Sequence, residues 1–245
     1  MDPIAAPVYN HFVGEFVGTM LLIILGSGVV ANVLLSKTKG HNGGLIVITF
    51  GWAMAVFVGV YSSTKLGGGG HLNPAVTIAL AYLEKFPKEN VSIFILAQFA
   101  GAIVGAIITW LAYRQHFAHT ADGDLKLAVF STGPAIRSAP HNILTETVGT
   151  FVLMLGALLF TDSAQSLGTL NALPVALLVL AIGLSLGGPT GYAINPARDL
   201  GPRIAHFILP IPQKRDSDWS YAWIPVVGPI VGAMLAAVVF KYFLS

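Results

Sequence analysis

The chain has 245 residues, of which 55% are hydrophobic and only 10% are charged, and its mean hydropathy is +0.75. A soluble domain carries roughly 25% charged residues, so this composition excludes a water-soluble globular protein and indicates a bilayer protein. The formal net charge is +2 with no run of Lys or Arg, which excludes a nucleic-acid-binding surface, and the lack of cysteine excludes disulfides and thiolate metal sites.

Six segments are long and apolar enough to cross a hydrocarbon layer of about 30 Å. In chain order they are residues 11–35, 44–64, 91–113, 142–161, 171–188 and 221–243. Two further apolar stretches, 74–83 and 196–207, reach only about halfway across at ~1.5 Å per helical residue. The sequence therefore predicts an all-α membrane protein with six transmembrane helices and two half-helices.

Three landmarks recur in the same order in the two halves of the chain. They are EFVGT at 15–19 and ETVGT at 146–150, Asn-Pro-Ala at 73–75 and 195–197, and GAIVGA at 101–106 and GPIVGA at 228–233. Because each half holds an odd number of spans, the second half must enter the membrane from the opposite side. We expect one domain, 1–245, made of inverted repeats over roughly 8–113 and 140–245, with its functional site at the midplane.

Each Asn-Pro-Ala box is a helix start. Pro74 and Pro196 suit a first helical position, and Asn73 and Asn195 are preferred N-caps, followed by Ala75 and Ala197. An irregular backbone at this depth must be buried in protein or border a water-filled cavity. An Asn amide can cap the helix with its oxygen and donate into that cavity with its NH₂, whereas Asp would add a charge and no donor. Two helix N-termini meeting there would repel cations.

The stretches HLNPAVT (71–77) and GYAINPARDLGPR (191–203), with the six spans and the repeat, resemble the major intrinsic protein family of aquaporins and aquaglyceroporins. The resemblance implies an aquaporin-like bundle of six tilted helices and two half-helices. It further implies one pore per subunit of a homotetramer in the cell membrane, with both termini in the cytoplasm. The loop lysines and arginines do not support that orientation under the positive-inside rule.

Within the family, the chain is similar to the glycerol-facilitator branch at Asp199, Arg203, Trp110 and Pro225-Val226. The resemblance assigns the selectivity filter to four residues: Trp52, Gly183, Tyr192 and Arg198. In that assignment the two aromatic rings hold a carbon backbone, Arg198 donates hydrogen bonds to hydroxyls and repels cations, and Gly183 leaves room.

The implied function is passive diffusion of glycerol and similar small neutral solutes, and of water, while ions and protons are excluded. Undissociated lactic acid, dihydroxyacetone and urea fit the same opening. No cofactor, metal or nucleic acid is expected, and the sequence offers no nucleophile or paired carboxylates for an enzyme.

Two intramembrane carboxylates leave an alternative open. Glu15 and Glu146 occupy matching positions and could carry protons in a coupled small-solute transporter, but their symmetry favours bracing of the two irregular loops. His71, two residues before Asn73, is expected either to pack in its loop or to face the lumen.

Overall fold

The computed structural model describes residues 8–244, without the side chains of residues 8, 9, 161–165 and 169. The predicted domain, 1–245, begins and ends on residues outside this description. The same residues are the termini whose orientation is predicted.

Nine α-helices make up the described part of the chain. They are α1 (Val8–Leu34), α2 (Leu45–Lys65), α3 (Pro74–Tyr82), α4 (Val91–His119), α5 (Gly123–Ala128), α6 (Ala139–Ser166), α7 (Leu173–Leu186), α8 (Pro196–Ile208) and α9 (Ile224–Val239). Short 3₁₀ turns at Lys88–Asn90 and Gly168–Leu170 precede α4 and α7, and a π-helical turn, Phe240–Leu244, continues α9. The half-helices predicted at 74–83 and 196–207 are α3 and α8.

Some helix bounds differ from the prediction. The span predicted at 171–188 is a helix of 14 residues, α7, about 21 Å long. It begins with a Pro in its first turn and stops before the pair Gly187-Gly188. Conversely, α4 runs to His119 rather than 113, and α5 lies between the third and fourth predicted spans, where no helix is predicted. Five of the described helices are by themselves long and apolar enough to cross a membrane.

The helices pack in corresponding pairs. In the first half α1 contacts α2 and α4, and in the second half α6 contacts α7 and α9. The half-helices cross over, since α3 contacts α9 and α8 contacts α4, while α2 and α7 meet between the halves. Two related halves packed face to face would give this pattern.

Glycines allow the closest of these contacts. A Cβ on Gly101 of α4 would lie 2.3 Å from the Phe16 carbonyl oxygen of α1, and one on Gly232 of α9 would lie 2.2 Å from the Thr147 carbonyl oxygen of α6. Only a residue without a side chain lets the backbones approach this closely, which is a recurrent packing mode of membrane helices. The outward faces of the long helices expose large apolar side chains such as Leu96, Leu159 and Leu235.

Candidate functional site

The half-helices α3 and α8 begin at the two Asn-Pro-Ala boxes. The Asn73 side-chain oxygen accepts from Ala75 N at 3.0 Å, and the Asn195 oxygen accepts from Ala197 N at 3.0 Å and Arg198 N at 3.2 Å. Pro74 and Pro196 take the first helical positions. Both helices therefore start with capped N-termini at one place in the bundle, as the N-cap argument predicts.

The amide nitrogens of these two asparagines cross between the halves. Asn73 Nδ2 donates to the Ile194 carbonyl oxygen at 2.8 Å, and Asn195 Nδ2 donates to the Leu72 carbonyl oxygen at 2.7 Å. Each NH₂ group carries two hydrogens. One hydrogen of each amide is thus committed to the opposite loop, which fixes the direction of the other.

The residue before each Asn has a left-handed backbone. Leu72 has φ 51° and Ile194 has φ 46°, a conformation that is rare for bulky and especially for β-branched residues. It turns each carbonyl toward the opposite asparagine. Strain of this kind costs about 1–3 kcal/mol per residue and persists only where surrounding bonds enforce it.

Glu15 enforces it in the first half. Its Oε1 accepts from Ser63 Oγ at 2.9 Å and His71 N at 3.0 Å, and its Oε2 accepts from Leu72 N at 2.8 Å and Gln98 Nε2 at 2.7 Å. The carboxylate is fully buried. Four donors on a buried carboxylate replace the hydration that it lost.

Glu146 holds the equivalent position in the second half. It accepts from Thr190 Oγ1 at 2.7 Å, Ala193 N at 3.0 Å and Ile194 N at 2.8 Å. Both carboxylates lie behind the loops that they bind, and neither borders the central cavity. This geometry fits loop bracing.

A cavity of about 250 Å³ runs past both boxes. Its polar border is formed by residues 69–73 and 192–195 together with Arg198, so both loops that approach the boxes contribute to it. The rest of the lining is mostly aliphatic, and includes Leu22, Val56, Val60, Leu153 and Val179. A cavity lined by both polar groups and aliphatic side chains suits small solutes that have both hydroxyl groups and a carbon backbone.

Three of the four predicted filter residues meet at one end of this cavity. The Arg198 guanidinium carbon lies 3.9 Å from the centroid of the Trp52 ring, and both side chains border the cavity together with Tyr192. Arg198 Nη1 also makes a long contact of 3.4 Å with the Phe130 carbonyl oxygen. A guanidinium above an aromatic ring keeps its N–H groups in its own plane, where they can donate to an acceptor in the cavity.

The fourth, Gly183, lies behind Tyr192 and does not border the cavity. A Cβ on Gly183 would be 2.9 Å from Tyr192 Cζ and 2.9 Å from Thr49 Cγ2. A Cβ on Gly187, one turn later, would be 2.7 Å from Tyr192 Cδ1. The two glycines thus form the seat of the Tyr192 ring.

His71 both packs in its loop and borders the cavity. Its Nδ1 is 3.1 Å from Thr77 Oγ1, and its ring meets those of Phe86 and Phe94 at centroid distances of 4.8 and 4.9 Å. The two placements predicted for His71 are therefore compatible with each other.

The sequence marks Asp199 and Arg203 only as residues typical of a branch of the family, and it predicts neither their pairing nor their contact with Thr132. Asp199 and Arg203 form a fully buried ion pair of 2.8 Å, and both bind Thr132 of the long connection between α4 and α6. The spacing of four residues on a helix could have indicated the pair. Nothing in the sequence points to Thr132, because two of its hydrogen bonds with Asp199 and Arg203 use backbone N–H and carbonyl groups, which do not identify a residue type.

The family profile described as "Major intrinsic protein" matches residues 5–240. Among curated proteins, the chain is 57% identical over 231 residues to a probable glycerol uptake facilitator protein of Thermotoga maritima, covering 94% of this chain and 98% of that protein. It is 55% identical over 236 residues to the glycerol uptake facilitator protein of Streptococcus pneumoniae strain R6, covering 96% and 99%.

Among solved structures, the X-ray structure of the aquaglyceroporin from Plasmodium falciparum superposes with a TM-score of 0.86. The two chains are 32% identical, and the match covers 97% of each. The predicted aquaporin-like fold class is confirmed, and so is the resemblance on which it rested.

Proposed function

Because the chain belongs to the major intrinsic protein family, whose members are membrane channels and not enzymes, we propose that it is a passive channel for glycerol. We extend the proposal to similar small neutral solutes, such as dihydroxyacetone, urea and undissociated lactic acid, and to water, with ions and protons excluded. In this proposal the chain is a single domain of two inverted repeats. It forms a homotetramer in the cell membrane, with both termini in the cytoplasm.

The meeting of Trp52, Tyr192 and Arg198 at one end of the cavity carries this proposal. Two aromatic rings offer an apolar corner for a carbon chain, and a guanidinium offers several donors to the hydroxyl oxygens on its other side. A three-carbon polyol has this same division into an apolar edge and a polar edge. The names of the relatives, which are glycerol uptake facilitators, support the same solute.

The exclusion of ions follows from the same groups. The N-termini of α3 and α8 each bring about half a positive charge to the boxes, and Arg198 adds a full one. Cations meet this potential in a cavity whose remaining lining is mostly aliphatic. An anion would bind Arg198 strongly and would leave slowly.

The proton-coupled alternative has less support from the geometry. Glu15 and Glu146 are buried away from the cavity, and each has at least three donors within 3.0 Å. A carrier of protons must exchange them with the lumen or with solvent during each cycle. Under the channel proposal, a pH gradient should drive no accumulation of glycerol in proteoliposomes.

Arg198→Val tests the channel and its filter together. Stopped-flow swelling should show rapid, downhill glycerol flux in proteoliposomes that hold the native protein. The Arg198→Val variant should admit larger polyols such as xylitol. Loss of a charged donor is worth about 1.5 kcal/mol or more, so the glycerol-to-xylitol permeability ratio should fall roughly tenfold. The exposed Arg114, replaced by Val, serves as the control. If proteoliposomes with the native protein swell no faster than protein-free liposomes, the proposed function is wrong.

A further inference from the structure

Segment 130–135, in the long connection between α4 and α6, lies directly against the loop that leads to the second box. The Phe130 carbonyl oxygen faces Arg198 Nη1, and Ala135 N donates to the Pro189 carbonyl oxygen at 2.9 Å. Between them, Thr132 packs on Gly191, where an added Cβ would lie 3.3 Å from Thr132 Cβ. Gly191 has φ 81° and immediately precedes Tyr192. The segment therefore touches Arg198 itself and the residue beside Tyr192.

A buried ion pair holds this segment. Asp199 Oδ2 accepts from Thr132 N and from Thr132 Oγ1, both at 2.7 Å, and Asp199 Oδ1 accepts from Arg203 Nε at 2.9 Å and Nη2 at 2.8 Å. Arg203 Nη2 also donates to the Thr132 carbonyl oxygen at 2.9 Å. Every polar group of Thr132 is thus bound by the pair, and both charged side chains are fully buried.

Arg203 also binds a second connection, the one between α8 and α9. Its Nη1 donates to the Ser217 carbonyl oxygen at 2.7 Å and to the Asp218 carbonyl oxygen at 3.2 Å. A buried ion pair needs such additional hydrogen bonds to offset its desolvation. Here they all go to the α4–α6 connection and the α8–α9 connection.

The corresponding position in the first half differs. Thr77 stands four residues after Asn73, as Asp199 stands four residues after Asn195. Thr77 Oγ1 accepts from Gln98 Nε2 at 3.0 Å, which is a neutral contact. The charged arrangement thus occurs in the half that carries Arg198 and Tyr192.

We infer that Asp199 and Arg203 are positioning residues for selectivity: through Thr132 they fix segment 130–132, which sets where Arg198 and Tyr192 stand across the passage. The inference rests on the proposed function, since it assumes that these two side chains select the solute. When segment 130–132 shifts, Arg198 loses the Phe130 carbonyl oxygen and retains the Trp52 ring, so its donors take several directions. Size discrimination then falls while the channel still conducts.

Two variants test this. Asp199→Asn combined with Arg203→Gln keeps a donor and an acceptor of similar size without an uncompensated buried charge. Thr132→Val removes one hydroxyl and keeps the backbone bonds, so it should fold even if the double variant does not. Arg215→Gln is the matched control, because it removes an exposed ion pair with Asp124 between the same two connections, and that pair has no hydrogen bond with Thr132 or Arg203.

Two measurements are made on each variant and on the native protein. The first is the glycerol-to-xylitol permeability ratio in proteoliposomes, and the second is hydrogen exchange at the amides of residues 190–195. We expect the ratio to fall about fivefold in the double variant and about twofold in Thr132→Val, as for loss of one or part of one buried hydrogen bond. Exchange should rise in both variants, and Arg215→Gln should change neither quantity.

The outcomes separate this inference from the proposed function. Permeabilities that fall together at an unchanged ratio, with unchanged exchange, would overturn the positioning role and leave the pair a structural one. If native vesicles pass neither polyol, the proposed function fails, and exchange alone decides the inference: faster exchange in Thr132→Val supports positioning, and unchanged exchange overturns it.

Discussion

Replacement of Gly183 by Ala should narrow the channel by moving Tyr192. The new Cβ would lie 2.9 Å from Tyr192 Cζ and 2.9 Å from Thr49 Cγ2. Carbon atoms in contact sit at about 3.5 Å or more, so both contacts must lengthen by about 0.6 Å, through movement of these neighbours or of α7 between them. Thr49 is fully buried, whereas Tyr192 borders the cavity. Most of the displacement should therefore fall on the Tyr192 ring, which has the cavity to move into.

The size of the effect follows from the cost of overpacking. An extra methyl group in a well-packed site costs about 1–3 kcal/mol. If about 1.4 kcal/mol of this appears only while a solute passes the displaced ring, the permeation rate falls tenfold. Glycerol should meet that barrier in full. The permeation rate of water, which is smaller than glycerol, should fall far less.

Stopped-flow light scattering on proteoliposomes measures both permeabilities in one preparation. Gly188→Ala is a matched control, because an added Cβ there meets nothing within 4 Å. Combining Gly183→Ala with Tyr192→Ala completes a double-mutant cycle. If Gly183 acts by seating the ring, the alanine should have little further effect once the ring is gone. An equal loss of glycerol flux with and without Tyr192 would refute the reasoning and assign Gly183 to the wall of the lumen.

Three further outcomes are expected. Asn195→Asp replaces the donor to the Leu72 carbonyl oxygen with a second acceptor, which should lower the thermal stability in detergent and raise cation conductance in planar bilayers; unchanged conductance in folded protein would contradict this. Glu146→Gln should cost about 2–4 kcal/mol of unfolding free energy, seen as a lower denaturant midpoint, because backbone N–H groups of the second loop lose a carboxylate acceptor. Burial alone would raise the pKa of Asp218, but its hydrogen bonds with Arg137 and Ser220 more than offset this and hold the pKa below its usual range. A lowered pKa stabilises the fold above about pH 4 and the contribution is lost as pH falls, so Arg137→Gln should flatten the acid limb of a melting-temperature profile.

Local signals predicted the half-helices well and the connections poorly. The N-cap and proline of each Asn-Pro-Ala box fix the first turn, so the observed α3 and α8 start at Pro74 and Pro196 as predicted, and their ends differ by one residue. In contrast, α5 has six residues and too little periodicity to be recognised. Its N-cap, Asp122, accepts from Asp124 N and Leu125 N, but a lone Asp in a polar connection is a weak signal.

Symmetry in the sequence carried the prediction for the site further than composition did. It paired Glu15 with Glu146, and the structure has both carboxylates bound to the loops before the boxes. It could not indicate that Gly183 lies behind the Tyr192 ring, since a glycine has no side chain whose chemistry reveals its neighbours. Thr132 was beyond reach because its bonds to Asp199 and Arg203 join residues 67 and 71 positions apart.

The crossed amide bonds bear on how the chain is made. Asn73 binds a carbonyl 121 residues further on, and Asn195 binds one 123 residues back. While a ribosome is still synthesising the second half, the strained Leu72 has its Glu15 bonds but lacks Asn195, whose amide donates to the Leu72 carbonyl oxygen. We therefore expect the first half-helix to settle into place only after the second has entered the membrane. In a chain that stops before residue 195, the loop before Asn73 should be accessible to proteases. Co-expression of the missing half should protect that loop from cleavage.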